Sequence, residues 1–367
     1  MRAIATDARV ARRESLIRVL DSEGIDALIV SHVPNVRYLT GFTGSAGAAL
    51  VLRQETVFFS DFRYRTQAEQ QVGDSARIEI VASDVWSKVK SVLEEYAGLD
   101  RVGFEGHVVT VRQARELEQG GLAASLVPAS ALVEKLRASK DPNEVAAIRA
   151  AASLASEALE ATLPQVRPGQ REQDVAALLE RELRARGSEW HPFPTIAASG
   201  PRSALPHAET SAREIKSGDF LLLDFGAQVD GYCADITRTV VVGGRADERQ
   251  RMVYDLVSEA QTRAVSQIRA GMTGKEADAL GRIPIEERGF GDAFGHSLGH
   301  GLGLEVHEDP RVSKSNDEAL PANSVVTVEP GVYIAGWGGV RIEDDVFLGE
   351  DRTQILSDGE IELRELI

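Results

Sequence analysis

Two carboxylates interrupt apolar stretches in the C-terminal half of this 367-residue chain: Asp224, in Leu221-Leu222-Leu223-Asp224-Phe225-Gly226, and Asp235, in Gly231 to Thr239 (GYCADITRT). Asp230-Gly231 is a turn dipeptide, and a loop centred near residues 229 and 230 sets the two acids opposite one another on a hairpin. Opposed residues on one face of a hairpin have Cβ atoms about 4.5 to 5.5 Å apart, so two anions there repel unless a positive charge lies between them. A metal ion meets that need. Solvation of one acid, or its pairing with Arg238, would meet it too, and this hairpin alone leaves the readings open. A second pair narrows them. Val325-Val326-Thr327-Val328-Glu329 ends in a carboxylate before Pro330-Gly331, and Val340-Arg341-Ile342-Glu343 supplies another after the turn. Two divalent cations would cancel four formal negative charges, which no single lysine or arginine can do.

Three of the seven histidines, His296, His300 and His307, fall within Phe294 to Glu308 (FGHSLGHGLGLEVHE). Glycines at 295, 299, 301 and 303 make a regular helix improbable, and the segment reads as a close-packed strand or loop. One imidazole there can bind a metal while others handle protons or hold substrate. His207, in Ser199 to Glu209 (SGPRSALPHAE), is on spacing alone as much a structural residue as a functional one. Cys233 is the single cysteine, so neither an intrachain disulfide nor a thiolate zinc cluster can form from this chain. It reads as a small strand residue rather than a nucleophile.

The elements that must position these groups begin near residue 139. Asp141-Pro142 is placed as an N-cap followed by proline at the first helical turn, opening a helix over 143–163, with a second over 171–186. Arg167 to Ala176 (RPGQREQDVA) is echoed by Arg269 to Ala279 (RAGMTGKEADA), each a glycine turn entering a helix. Each copy precedes a strand pair bearing carboxylates, 220–227 with 232–242 and 324–334 with 339–348. The pattern predicts an internal pseudo-two-fold repeat with the two hairpins facing a shared site. Pro284 falls inside the second of the repeat's later helices and predicts a kink.

Upstream, strand candidates at 25–31, 48–53, 56–60, 78–82 and 101–104 alternate with helical patterns at 63–72, 85–96 and 111–119. This predicts a layered α/β domain over residues 1–138, followed by an α+β domain over 139–367. The net charge of −16 disfavours nucleic acid as a partner. No run of about 18 apolar residues and no leader-like apolar segment is present, so the expectation is a cytoplasmic protein with no membrane partner.

Taken together, the motifs resemble the pita-bread metallopeptidases, the family of methionine aminopeptidase, aminopeptidase P and prolidase. The likeness covers about residues 142–350, and the N-terminal part resembles the creatinase/prolidase N-terminal domain. The resemblance implies five metal ligands: Asp224 in LLLDFGA, Asp235 in D-x-T-R-T, His300 in G-H-G-x-G, Glu329 before Pro-Gly, and Glu343 in R-x-E-D. It implies that His307 contacts the scissile carbonyl, that His296 and His207 bind substrate or shuttle protons, that Glu329 doubles as general base, and that Arg341 supports the site. Arg202 departs from the asparagine usual in its segment, which touches fine specificity alone. Two divalent ions are implied, Mn²⁺ first in an oxygen-rich set, with Co²⁺ or Zn²⁺ able to substitute. A pair about 3.5 to 4 Å apart lowers the pKa of a shared water that then attacks the peptide carbonyl. Asn35 to Gly47 (NVRYLTGFTGSAG) and Asp61-Phe62-Arg63-Tyr64 resemble short bacterial aminopeptidase P. The implied activity is therefore removal of an N-terminal residue preceding proline, with an Xaa-Pro dipeptidase as the alternative, a non-catalytic binding module as a remote third, and a homodimer as the expected assembly.

Overall fold

The computed structural model describes residues 6–82, 84–119, 123–357 and 359–367. The chain divides into two compact units, Met1–Arg137 and Ala138–Ile367. No helix among the described residues is long and apolar enough to cross a membrane.

The first unit runs α1 (Thr6–Glu23), β1 (Ala27–Val30), α2 (Val33–Thr40), β2 (Ala48–Leu52), β3 (Thr56–Asp61), α3 (Arg65–Gln71), β4 (Arg77–Val81), α4 (Val85–Leu93), β5 (Arg101–Glu105), α5 (Val111–Glu118), β6 (Ser125–Ala129) and α6 (Leu132–Arg137). The strands form one six-stranded sheet in the order β4-β3-β2-β1-β5-β6. β1 to β3 are antiparallel neighbours, while β3/β4, β1/β5 and β5/β6 are parallel. Every residue of Ala-Leu-Ile-Val in β1 is buried, as a strand covered on both faces requires. Alternate residues Ala27, Ile29, Leu50, Leu52, Val57 and Phe59 pack with Val89, Val92, Leu93 and Leu117 of α4 and α5.

The second unit opens with α7 (Pro142–Thr162), where Asp141 and Glu144 form a reciprocal capping box around Pro142. It continues with α8 (Glu172–Ala185), β7 (Ile196–Ser199), β8 (Asp219–Phe225), β9 (Gln228–Val229), β10 (Tyr232–Cys233), β11 (Ile236–Val242), α9 (Glu248–Gln267) and α10 (Gly274–Glu287). Then come β12 (Gly299–Gly301), β13 (Glu308–Val312), β14 (Ser324–Val328), β15 (Gly331–Ile334), β16 (Gly338–Arg341), β17 (Asp344–Leu348), β18 (Thr353–Ile355) and β19 (Glu365–Leu366). α10 carries through Pro284 to Glu287 without a break in its helical assignment.

Two sheets carry the repeat: β19-β11-β8-β7 and β13-β12-β14-β17-β18. The glycine turns expected from the echoed segments are built alike. Gly169 and Gly271 both have positive φ, 89° and 86°. Gly169 N–H donates to Ile215 O at 2.8 Å and Gly271 N–H to Leu320 O at 2.9 Å. Isolated bridges Arg171↔Glu214 and Thr273↔Ala319 follow each turn at the same step. Local sequence therefore writes the same strand-clasped helix start twice, and each helix pair then covers its own sheet.

A candidate dinuclear metal centre

The first hairpin turns on Asp230 and Gly231, whose φ values of 48° and 74° are the paired positive angles of a type I′ turn. The loop thus centres between 230 and 231 rather than 229 and 230. In consequence Thr237, not Asp235, stands opposite Asp224. Asp235 lies two residues earlier, in the gap between β10 and β11. A slip of two preserves the alternation of faces, so both carboxylates still reach one cavity. The second hairpin pairs Val328 with Asp344 in one sheet and Gly331 with Arg341 in another. That common register sets Glu329 level with Glu343 at the break between the sheets. Glu343 N–H donates to Thr237 O at 3.1 Å, joining the two hairpins at the cavity floor.

His300 sits in the middle of β12, flanked by glycines because the strand runs against its neighbours' backbone: a Cβ on Gly299 would collide with the Thr327 carbonyl. Its N–H donates to Thr327 Oγ1 at 3.1 Å. The ligand atoms of Asp235, His300 and Glu343 lie within 4.8 Å of one another. His300 Nε2 is 3.8 Å from Asp235 Oδ2 and 3.6 Å from Glu329 Oε1. Asp224 enters the same cavity, where its Oδ2 accepts from Arg341.

All nine residues singled out from sequence line this one cavity of about 620 Å³: His207, Asp224, Asp235, His296, His300, His307, Glu329, Arg341 and Glu343. The rings of His300 and His307 meet edge to face, centroids 4.3 Å apart. His296 Nε2 is 2.9 Å from the Tyr333 hydroxyl. Arg341 ties the walls together, donating to Tyr333 Oη at 2.8 Å, Thr237 Oγ1 at 3.0 Å and Pro206 O at 3.2 Å. Arg202 lies elsewhere, its Nε bonded to the fully buried Glu172 at 3.0 Å. Glu172 also accepts from Ser199 and Ser211, and so fixes both ends of the loop that carries His207.

Charge decides what the cavity can hold. Arg238, a possible partner on sequence grounds, is taken by Asp344 at 2.7 Å and by the carbonyls of Thr237 and Glu343. Arg341 is bonded to Asp224. Burial holds His300 down to about 3 and His296 to about 4, so both imidazoles are neutral. Asp235, Glu329 and Glu343 are left without a cationic partner among the described residues. Burial, then mutual repulsion, raises Asp235 and Glu329 well above ordinary carboxylates and pushes Glu343 up to about 8. Asp224 Oδ1 and Asp235 Oδ1 are buried with no hydrogen-bond partner. Orphaned anionic oxygens beside a neutral imidazole are the donor set of a hard divalent ion, and the residues fit such a group.

Sequence reading passed over four residues here. Thr237 Oγ1 donates to Glu343 Oε2 at 2.5 Å. Thr327 Oγ1 donates to Glu329 Oε1 at 3.4 Å. Tyr333 bridges His296 and Arg341. Asp345, fully buried, accepts from Asp235 N–H at 3.2 Å. The run Glu343-Asp344-Asp345 inside an apolar strand was a legible signal for the last, and Thr237 stands in the D-x-T-R-T segment; Thr327 carries none. Cys233 is buried in β10, its thiol pushed up to about 12 by burial, and does not line the cavity.

Residues 146–350 match metallopeptidase family M24, and residues 12–139 match the creatinase/prolidase N-terminal domain. The chain is 35% identical to an Xaa-Pro dipeptidase of Pyrococcus furiosus over 96% of its own length and 99% of that protein's. A solved Xaa-Pro dipeptidase from Bacillus anthracis superposes with a TM-score of 0.93 at 40% identity, covering 98% of this chain and 100% of that one. An X-Pro aminopeptidase from Thermotoga maritima gives 0.88 at 37%, over 96% and 99%. With two hairpins of acids closing on a G-H-G strand, and with these likenesses running its full length, the chain belongs to metallopeptidase family M24 and is an enzyme of that family.

Proposed function

We propose that this enzyme hydrolyses the peptide bond on the amino side of proline, with two divalent ions held by Asp224, Asp235, His300, Glu329 and Glu343. The observation that carries the reading is the convergence of buried carboxylates without enough cations of the protein's own to balance them. When bound, the ions supply Lewis acidity and a nucleophile at neutral pH. The chain's own groups do the rest. Glu329, at the mouth of the second hairpin, accepts and returns the proton of the attacking water. His307, exposed and edge to face with the His300 ring, donates to the carbonyl oxygen as it gains charge. His296, held by Tyr333, and His207, held on the Glu172-anchored loop, orient the peptide. Mn²⁺ is the proposed native ion because oxygen donors outnumber nitrogen in the set; a cytoplasmic homodimer belongs to the same reading.

Aminopeptidase action on Xaa-Pro-Xaa peptides is the first reading of substrate length, and the Thermotoga relative supports it. The dipeptidase reading has an observation of its own. Arg311 lines the cavity and makes no side-chain ion pair among the described residues, so it is available to a product carboxylate. Turnover of Xaa-Pro and Xaa-Pro-Xaa with Mn²⁺ separates the two. Activity confined to dipeptides, with a large rise in KM in Arg311→Met, rejects the aminopeptidase. Comparable turnover of tripeptides, unmoved by that variant, rejects the dipeptidase. No hydrolysis of either rejects both.

A further inference from the structure

A second cluster of metal-ligating side chains stands in the first unit, made of His32, His107 and Glu134, whose donor atoms lie within 4.8 Å of one another. His107 Nε2 is 3.1 Å and His32 Nδ1 3.8 Å from Glu134 Oε1. The two rings meet edge to face with centroids 5.5 Å apart. Ligands each about 2.1 Å from a tetrahedral ion stand about 3.4 Å from one another, a spacing these two distances bracket.

The fold puts the cluster where a ligand belongs. β1 and β5 are parallel neighbours, with Ala27 opposite Val102 and Ile29 opposite Phe104. The same offset, carried beyond the strand ends, sets His32 level with His107. From β1 the chain passes to β2 on one side of the sheet, and from β5 to β6 on the other. The carboxyl ends of β1 and β5 therefore flank a topological switch point, the position at which open α/β sheets bind their ligands. α6 brings Glu134 across the opening.

Buried partners hold His32 and Glu134 in place, as metal ligands are held by their outer contacts. Glu105, buried at the end of β5, accepts from the backbone N–H of Ser31 and of His32, both at 2.6 Å, and so fixes the His32 backbone. Asn35 donates to Glu105 Oε1 and Glu134 Oε1, each at 2.6 Å, and is itself fixed by Arg137 at 2.7 Å. Glu134 Oε2 is buried with no hydrogen-bond partner. Asn35 thus engages one oxygen of the carboxylate and leaves the other to spare. His107 is exposed, leaving a path for an ion and its water.

We propose that His32, His107 and Glu134 form a mononuclear site for a borderline divalent ion, Zn²⁺ above all, separate from the catalytic centre. Two imidazoles and one carboxylate select Zn²⁺, Co²⁺ or Ni²⁺ over Mg²⁺ and Ca²⁺. The ion would clamp the ends of β1 and β5 to α6.

Equilibrium dialysis of the full chain against Zn²⁺, followed by metal analysis, tests this in the wild type, His107→Ala and a control outside both clusters, the partly buried His191→Ala. His107 is exposed, so its removal should leave folding and peptide turnover unchanged. The expected result is the loss of one Zn²⁺ per chain in His107→Ala, none in His191→Ala, and Zn²⁺-dependent protection of the wild type against thermal unfolding that His107→Ala lacks. Should His107→Ala fold poorly by circular dichroism, Glu134→Gln replaces it with the same expectation. Equal zinc content in the wild type and the folded variant overturns the site, as does an equal loss in His191→Ala, which would mark adventitious binding to any histidine.

Discussion

The two hairpins at the candidate metal centre carry the same residue types on different registers. In the second, one register runs unbroken through the change of sheet, and Glu329 and Glu343 stand level with each other. In the first, the type I′ turn at Asp230-Gly231 sets Thr237 against Asp224 and moves Asp235 two residues away, into the gap between short strands. Each hairpin then uses a threonine to steer a glutamate: Thr237 binds Glu343 across the hairpins and Thr327 binds Glu329 within its own. Parity along a strand, rather than direct opposition, is what assembles the acids. Any even slip keeps them on the cavity face, and an odd slip would send them into the opposite layer.

Removing an acid at the break should do the most damage. Asp235→Asn keeps the volume and removes the charge, and its effect on turnover should exceed the roughly 10 to 100-fold loss typical of an outer partner of a metal ligand. Steady-state kinetics on a proline peptide, with metal content measured in parallel, checks this. Thr237→Val should fall within that roughly 10 to 100-fold range, since it removes the hydroxyl that donates to Glu343 and accepts from Arg341. Thr327→Val should cost less than Thr237→Val, because its bond to Glu329 is longer. The reverse order would mean that the second hairpin, not the first, sets the geometry of the acids.

Most of what builds the centre was legible. Asp224, Asp235, Glu329 and Glu343 betray themselves as charges in apolar strands, and the glycines around His300 mark a close-packed strand. The register of the first hairpin was misread because Asp230-Gly231 fixes the loop centre only once both residues are known to take positive φ. α1 was invisible for another reason. Its arginines look like solvated surface, yet Arg9 donates to the carbonyls of Thr40 and Gln71, and Arg12 to Tyr38 O while covering the Tyr38 ring at 4.1 Å. Arginine stems spent on helix ends replace the apolar periodicity that would have revealed a helix. β6, with its intermediate burial, lacks the alternation that marked its neighbours.

A gentler perturbation separates the acids' repulsion from their chemistry. A carboxyl group that ionises less readily folded than unfolded gives stability that is whole below the ordinary value of 4.5 and lost as pH rises toward its folded value. For Glu343 that value is about 8, raised by burial and then by Asp224. Metal-stripped protein should therefore lose thermal stability between about pH 5 and pH 8, while metal-loaded protein changes little, as scanning calorimetry at several pH values will report. The smallest effect is expected from Arg202→Met. It removes a partly exposed arginine from the buried Glu172 while Ser199 and Ser211 still hold that carboxylate, so KM should shift by only a few-fold and kcat hardly at all.

The central claim is that the two hairpins share divalent ions because their own cations are too few. Titration of Mn²⁺ into metal-free protein carrying His107→Ala, which removes the cluster in the first unit from the count, tests it directly. The account predicts two Mn²⁺ per chain, with turnover of a proline peptide rising as they bind and both responses impaired by Asp235→Asn. Full turnover in metal-free protein, or unaltered Mn²⁺ binding in Asp235→Asn, would contradict it.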